Sequence, residues 1–146
     1  MTMSAATNAD NLRRLLTAEQ VVTDPAELQR SSVDNFRKLQ NIFNVHTMCE
    51  PDAIVYVRSS ADVAKVLTYA SENGVNIVPR TGGTATEGGL ESGAPNSIVV
   101  DGSQMNRIIS IDAYNMQATA ECGVPLQVLE DEVRKHGLTK IGRAHV

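Results

Sequence analysis

The first apolar positions to recur at helical spacing are Leu12, Leu15 and Leu16, which predict a short helix over residues 11–20. Asp24-Pro25 predicts a second helical start, with Asp24 as cap and Pro25 at the first helical position. Val33, Phe36 and Leu39, three apart, give a weakly amphipathic segment over residues 31–41. Residues 1–50 thus read as a helical lead-in that packs onto something else.

From Glu50 the pattern sharpens. Pro51-Asp52 is a turn, and Ala53 to Val57 is a continuous apolar, β-branched run of the kind buried parallel strands show. Ser59 to Asp62 resembles a capping box with Asp in place of the usual Glu. Val63, Val66, Leu67 and Ala70 follow as one apolar helix face, closed by Asn73-Gly74. Val75 to Val78 is the next strand, so residues 53–78 predict a βαβ unit. Further on, residues 97–101 predict a strand, and residues 107–112 and 116–121 a hairpin around Ala113-Tyr114-Asn115. A final helix begins at Pro125, faces the core with Leu126, Leu129 and Val133, and is capped by Gly137. The fold class expected from this order is α+β.

Between the second and third strands lies Val78-Pro79-Arg80-Thr81-Gly82-Gly83-Thr84-Ala85-Thr86-Glu87-Gly88-Gly89, with four glycines in its last eight residues. Pro79 directly after the apolar run is expected to end the strand. Glycine admits left-handed backbone and lets N–H groups converge on an anion. A Gly-Gly pair alone reads as a flexible connection. The whole segment, at the carboxyl end of a strand where open α/β sheets bind ligands, points to a phosphate cradle.

Composition narrows the function classes. The chain is 42% hydrophobic and 21% charged, with a net charge of −4. That balance argues against a general nucleic-acid surface, and the five aromatics are not interleaved with arginines to form a stacking platform. No apolar run approaches the roughly 20 residues of a membrane span. The polar start lacks a secretory signal pattern, so Cys49 and Cys122 are expected to be reduced thiols and the protein cytoplasmic. No metal is expected, because His46 beside Cys49 is only a pair of ligands. Cys122 reads as a small buried residue, and Asp101 and Asp112 as turn caps. Glu130, Asp131 and Glu132 read as a solvated helix face, with Arg134 and Lys135 each four residues after an acid. For Arg80, three readings stand: a phosphate partner, a partner of an acid such as Glu87, or a solvated loop arginine.

Several motifs in order carry a family resemblance over about residues 50–138. They are Pro51 to Val55, Ser59 to Val66, Ile77-Val78-Pro79-Arg80 with the glycine loop, Val99-Val100-Asp101 with Met105 to Ile108, and Glu121 to Val124. Together they resemble the FAD-binding domain of the vanillyl-alcohol oxidase / p-cresol methylhydroxylase (PCMH-type) flavoproteins. The branch they look most like holds glycolate oxidase subunits, D-lactate dehydrogenases and alkyl-dihydroxyacetone-phosphate synthases. The resemblance implies that the FAD pyrophosphate rests on backbone amides of Arg80, Thr81, Gly82, Gly83, Thr84 and Ala85, with Gly88 after them. Arg80-Thr81-Gly82-Gly83 is similar to the Arg-Ser-Gly-Gly of berberine-bridge-type oxidases, which follow it with a histidine bonded to the flavin. Thr84 stands there instead, so noncovalent FAD is expected.

The resemblance also implies a second half of the FAD domain and a substrate domain, neither of which has a counterpart before Thr139. No residue of this chain is therefore assigned to catalysis. The expected parent is an FAD-dependent oxidoreductase acting on a small 2-hydroxy acid. The alternatives are an ether-lipid-synthase-like flavoenzyme and a noncatalytic nucleotide-binding module. Ile141 to Val146 reads as a translation of ATC GGA AGA GCA CAC GTC, a common sequencing-adapter run whose preceding AG completes the Lys140 codon. Residues 140–146 are therefore expected to be an artefact, with the natural chain continuing beyond Thr139.

Overall fold

The computed structural model describes residues 7–33 and 49–139. The predicted segment over 31–41 is thus described only as far as Val33, and His46 and residues 140–146 lie outside the described residues. The chain divides into two compact units, residues 1–104 and 105–146.

In the first unit, α1 (Asn8–Leu15) begins earlier than the leucine spacing predicts, because Thr7 and Asp10 form a reciprocal capping box. A short 3₁₀ turn (Ala18–Gln20) takes the end of that predicted helix, and the two-residue strand β1 (Val21–Val22) follows it. Helix α2 (Pro25–Ser31) starts as expected, with the Asp24 side chain accepting from Glu27 N–H. Strand β2 (Ala53–Tyr56) leads to α3 (Ser60–Asn73), whose Ser59 cap accepts from Asp62 N–H. Gly74, at φ 61°, supplies the left-handed residue that ends it. Strands β3 (Asn76–Arg80) and β4 (Ser97–Asp101) complete a sheet of order β1-β2-β4-β3. β4 therefore lies between the two strands of the predicted βαβ unit and runs parallel to both.

The core of this unit is Leu12, Val21, Ala53 to Val55, Val57, Val66, Ile98 and Val99, all buried. Two expectations are corrected. Leu67 is 50% exposed, and Tyr69, nearly buried, takes its place on the inner face of α3. Its hydroxyl donates to Asn8 Oδ1 at 2.7 Å, so the aromatic ring is buried with its polar end satisfied. Pro79 does not end its strand. β3 is an edge strand, where a missing N–H is tolerated, and the ladder runs on through Pro79 to Arg80.

The second unit is the hairpin of β5 (Ile108–Asp112) and β6 (Gln117–Ala120) followed by α4 (Leu126–Arg134). Met116 takes φ 55° at the turn, and Gly137, at φ 72°, follows the helix as predicted. Pro125 is the cap rather than the first helical residue, and Leu126 is 46% exposed instead of facing inward. Glu130 pairs with Arg134 as expected, whereas Lys135 pairs with Glu132 and Gln127 donates to Asp131.

Candidate functional site

The glycine-rich loop leaves the carboxyl end of β3 and returns to the amino end of β4. Its return limb is held firmly. Leu90 is buried, and Ser92 is buried with its hydroxyl against Ser97 and Ala94 O. Asn96 adopts φ 55° and donates to Gly74 O at 2.8 Å, fixing the entry to β4. The outgoing limb starts from Arg80, whose backbone pairs with Asp101 and whose carbonyl accepts Gly102 N–H at 2.8 Å.

Between these anchors the backbone is free. Among the described residues, no amide from Gly82 to Leu90 donates a hydrogen bond to another protein group. Unpaired backbone N–H groups require water or a ligand. Thr81, Gly82 and Thr84 are exposed, while Gly83, Ala85 and Gly88 are half-buried. Gly83 (φ 66°) and Gly88 (φ 82°) hold left-handed backbone that other residues adopt only with strain. A side chain at Gly82 would meet nothing closer than Thr84 Cγ2 at 3.9 Å, so its absence leaves open approach to the backbone. A run of free amides that opens on two glycines is the donor set of an anion-binding nest. A diphosphate fits this surface in charge and in steric demand.

Arg80 settles into one of its three readings. Its Nη1 lies 2.5 Å from Asp101 Oδ2, with the Arg80 side chain 22% exposed and the Asp101 side chain fully buried. The acid it pairs with is Asp101 and not Glu87. The structure thus gathers Arg80 and Gly83 on one side of the loop, and Gly82 and Thr84 at its exposed turn. Asp101 is the residue that reading the sequence as turns and caps undervalued. It does cap, accepting Ser103 N–H at 2.8 Å through Oδ1, but its other oxygen holds Arg80. The signal was present: two apolar strands each close on a charged residue, of opposite sign, and a parallel register places those ends side by side.

Other candidates are spent on structure. A polar pocket at the amino ends of β2 and β4 is lined by Asn8, Arg13, Thr23, Asp52 and Asn96. Its donors serve the protein: Asn8 Nδ2 donates to Asp52 and Asn96, and Arg13 to Val21 O and Thr23. Cys122 is exposed, contrary to expectation, because it follows the end of the edge strand β6. Among the described residues no group of three or more His, Cys, Asp or Glu could hold a metal ion. No helix among them is long and apolar enough to cross a membrane.

Comparison with known proteins bears on the same segment. The profile of a family described as "FAD binding domain" matches residues 51–141. An uncharacterized FAD-linked oxidoreductase, YgcU, of Escherichia coli (strain K12) is 48% identical over 139 residues, covering 95% of this chain and 29% of that protein. A mitochondrial D-lactate dehydrogenase [cytochrome] 1 of Saccharomyces cerevisiae is 26% identical over 149 residues, covering 93% of this chain and 25% of that protein. A solved alkyldihydroxyacetonephosphate synthase superposes with a TM-score of 0.76 at 23% identity, covering 88% of this chain and 24% of that one. The chain thus spans between a quarter and three-tenths of the length of these two curated relatives.

Proposed function

This chain belongs to the FAD-binding-domain family, with the PCMH-type fold, and on that premise we propose that Arg80 to Ala85, with Gly88, seat the pyrophosphate of noncovalently held FAD in a longer oxidoreductase. The observation that carries the reading is the run of unpaired amides from Gly82 onward, with open approach to the backbone at Gly82. Such amides satisfy a diphosphate without competing partners to displace. The Thr84 hydroxyl adds a donor at the exposed turn. With Thr84 where some relatives carry a flavin-linked histidine, this loop offers no nucleophile for a covalent bond.

The parent protein oxidises a small 2-hydroxy acid such as glycolate or D-lactate. FAD, when bound, supplies the hydride acceptor. The likeness to a D-lactate dehydrogenase supports that substrate class. This chain contributes cofactor binding only, and the groups that take the substrate proton belong to the rest of the parent.

The test uses the full-length protein. Acid precipitation is expected to release the flavin into the supernatant as FAD, and anaerobic glycolate or D-lactate to bleach its visible absorption. Flavin retained on the polypeptide through this loop would overturn noncovalent binding. Bound FAD that no 2-hydroxy acid reduces would overturn the substrate class.

A further inference from the structure

The Arg80–Asp101 pair is placed to do more than join two strands. The Arg80 guanidinium does not stop at its partner. Its Nη2 lies 3.1 Å, and its Cζ and Nε 3.7 Å, from the point a Gly83 side chain would occupy. The charged end of Arg80 thus fills the missing side-chain space of the loop's central glycine. Arg80 Nε is buried and has no hydrogen-bond partner among the described residues. Asp101 is fully buried, and its carboxylate is divided between Arg80 Nη1 at 2.5 Å and Ser103 N–H at 2.8 Å. A guanidinium is planar and permanently charged, so fixing one of its nitrogens fixes the whole group.

We propose that Asp101 is a positioning residue for cofactor binding: its carboxylate balances the Arg80 charge and clamps the guanidinium behind Gly83, so that the remaining guanidinium N–H donors back the amide nest and select a diphosphate-bearing flavin over an uncharged one. The inference rests on reading the loop as the pyrophosphate seat. It assigns to Arg80 a role carried by its side chain, behind the loop, rather than by its amide. A carboxylate held by a charge-assisted pair and a backbone N–H keeps its geometry, so the guanidinium donors are in place before the ligand arrives. Asp101 itself touches no ligand.

The experiment is a titration of the full-length apo-protein with FAD and, separately, with riboflavin, which lacks the pyrophosphate. Asp101→Asn keeps the shape and removes the clamp. It is expected to raise the Kd for FAD by about 10-fold or more while changing that for riboflavin by less than about 2-fold, the loss of one charge-assisted contact. Arg80→Gln is expected to match it, and Arg80→Lys, which keeps a charge, to recover part of the preference for FAD. Equal loss of both ligands, or an unchanged FAD affinity, would make the pair a plain strut and overturn the proposal. If Asp101→Asn does not fold, Arg80→Lys against Arg80→Gln decides: equal effects on FAD overturn it, and retention by Lys alone supports it. A loop variant, Gly82→Val, separates the two layers. Unchanged FAD binding there refutes the loop reading, and this proposal with it.

Discussion

At the scale of single residues, the loop depends on two different properties of glycine. Gly83 needs its left-handed φ of 66° and also the empty space that Arg80 Nη2 enters. Gly93, by contrast, has ordinary backbone and nothing within 4 Å of its missing side chain. Gly83→Ala is therefore expected to destabilise the apo-protein by about 1–2 kcal/mol, and Gly93→Ala to fall within about 0.5 kcal/mol of wild type. Thermal unfolding of the two variants side by side checks this, and equal shifts would contradict it. The glycines were legible in the sequence because their clustering is itself a signal. The partner of Arg80 was not, because it depends on which strand enters the sheet beside β3. Only the insertion of β4 between β2 and β3 brings Asp101 next to Arg80.

At the scale of elements, most of the strands and helices were legible from apolar runs and caps. The departures have local causes. Pro79 continues β3 because the strand is at an edge. Leu67 yields the inner face of α3 to Tyr69, whose hydroxyl reaches Asn8 across to α1, a contact no period within one helix can announce. The start of α3 shows a similar tertiary addition. Asp62 accepts from Arg58 N–H and from Gln20 Nε2, each at 3.0 Å, and Gln20 also donates to Tyr56 O. Burial pushes the Asp62 carboxyl up, but these bonds together with Ser59 and Lys65 hold it below its ordinary value of 3.8. A depressed folded value means the unfolded chain takes up the proton first. The stabilisation is thus complete above the ordinary value of 3.8 and fades as pH falls below it through the depressed one. Asp62→Asn is expected to flatten that acid limb of the melting temperature against pH. A variant whose acid limb is as steep as wild type would show that Asp62 titrates without consequence.

At the scale of the molecule, the chain belongs to the FAD-binding-domain family and spans 29% of the length of its E. coli relative. Its family was legible because several motifs recur in order over residues 50–138. Catalysis was not legible, because none of those motifs assigns a residue to proton transfer. In the second unit the two-stranded sheet leaves Ile109 and Met116 61% and 79% exposed, so this hairpin depends on packing beyond its own two strands. The proposed seat for the FAD pyrophosphate on the loop's bare backbone is open to test at Gly82, because that residue is exposed, lacks left-handed φ, and has only an ordinary 3.9 Å contact awaiting a Cβ. Gly82→Val in the full-length protein should therefore fold and melt as wild type does while blocking approach to the amides. The measurement is the FAD dissociation constant of that variant: a rise of about 10-fold or more at unchanged melting temperature is predicted, and an unchanged constant would contradict the account.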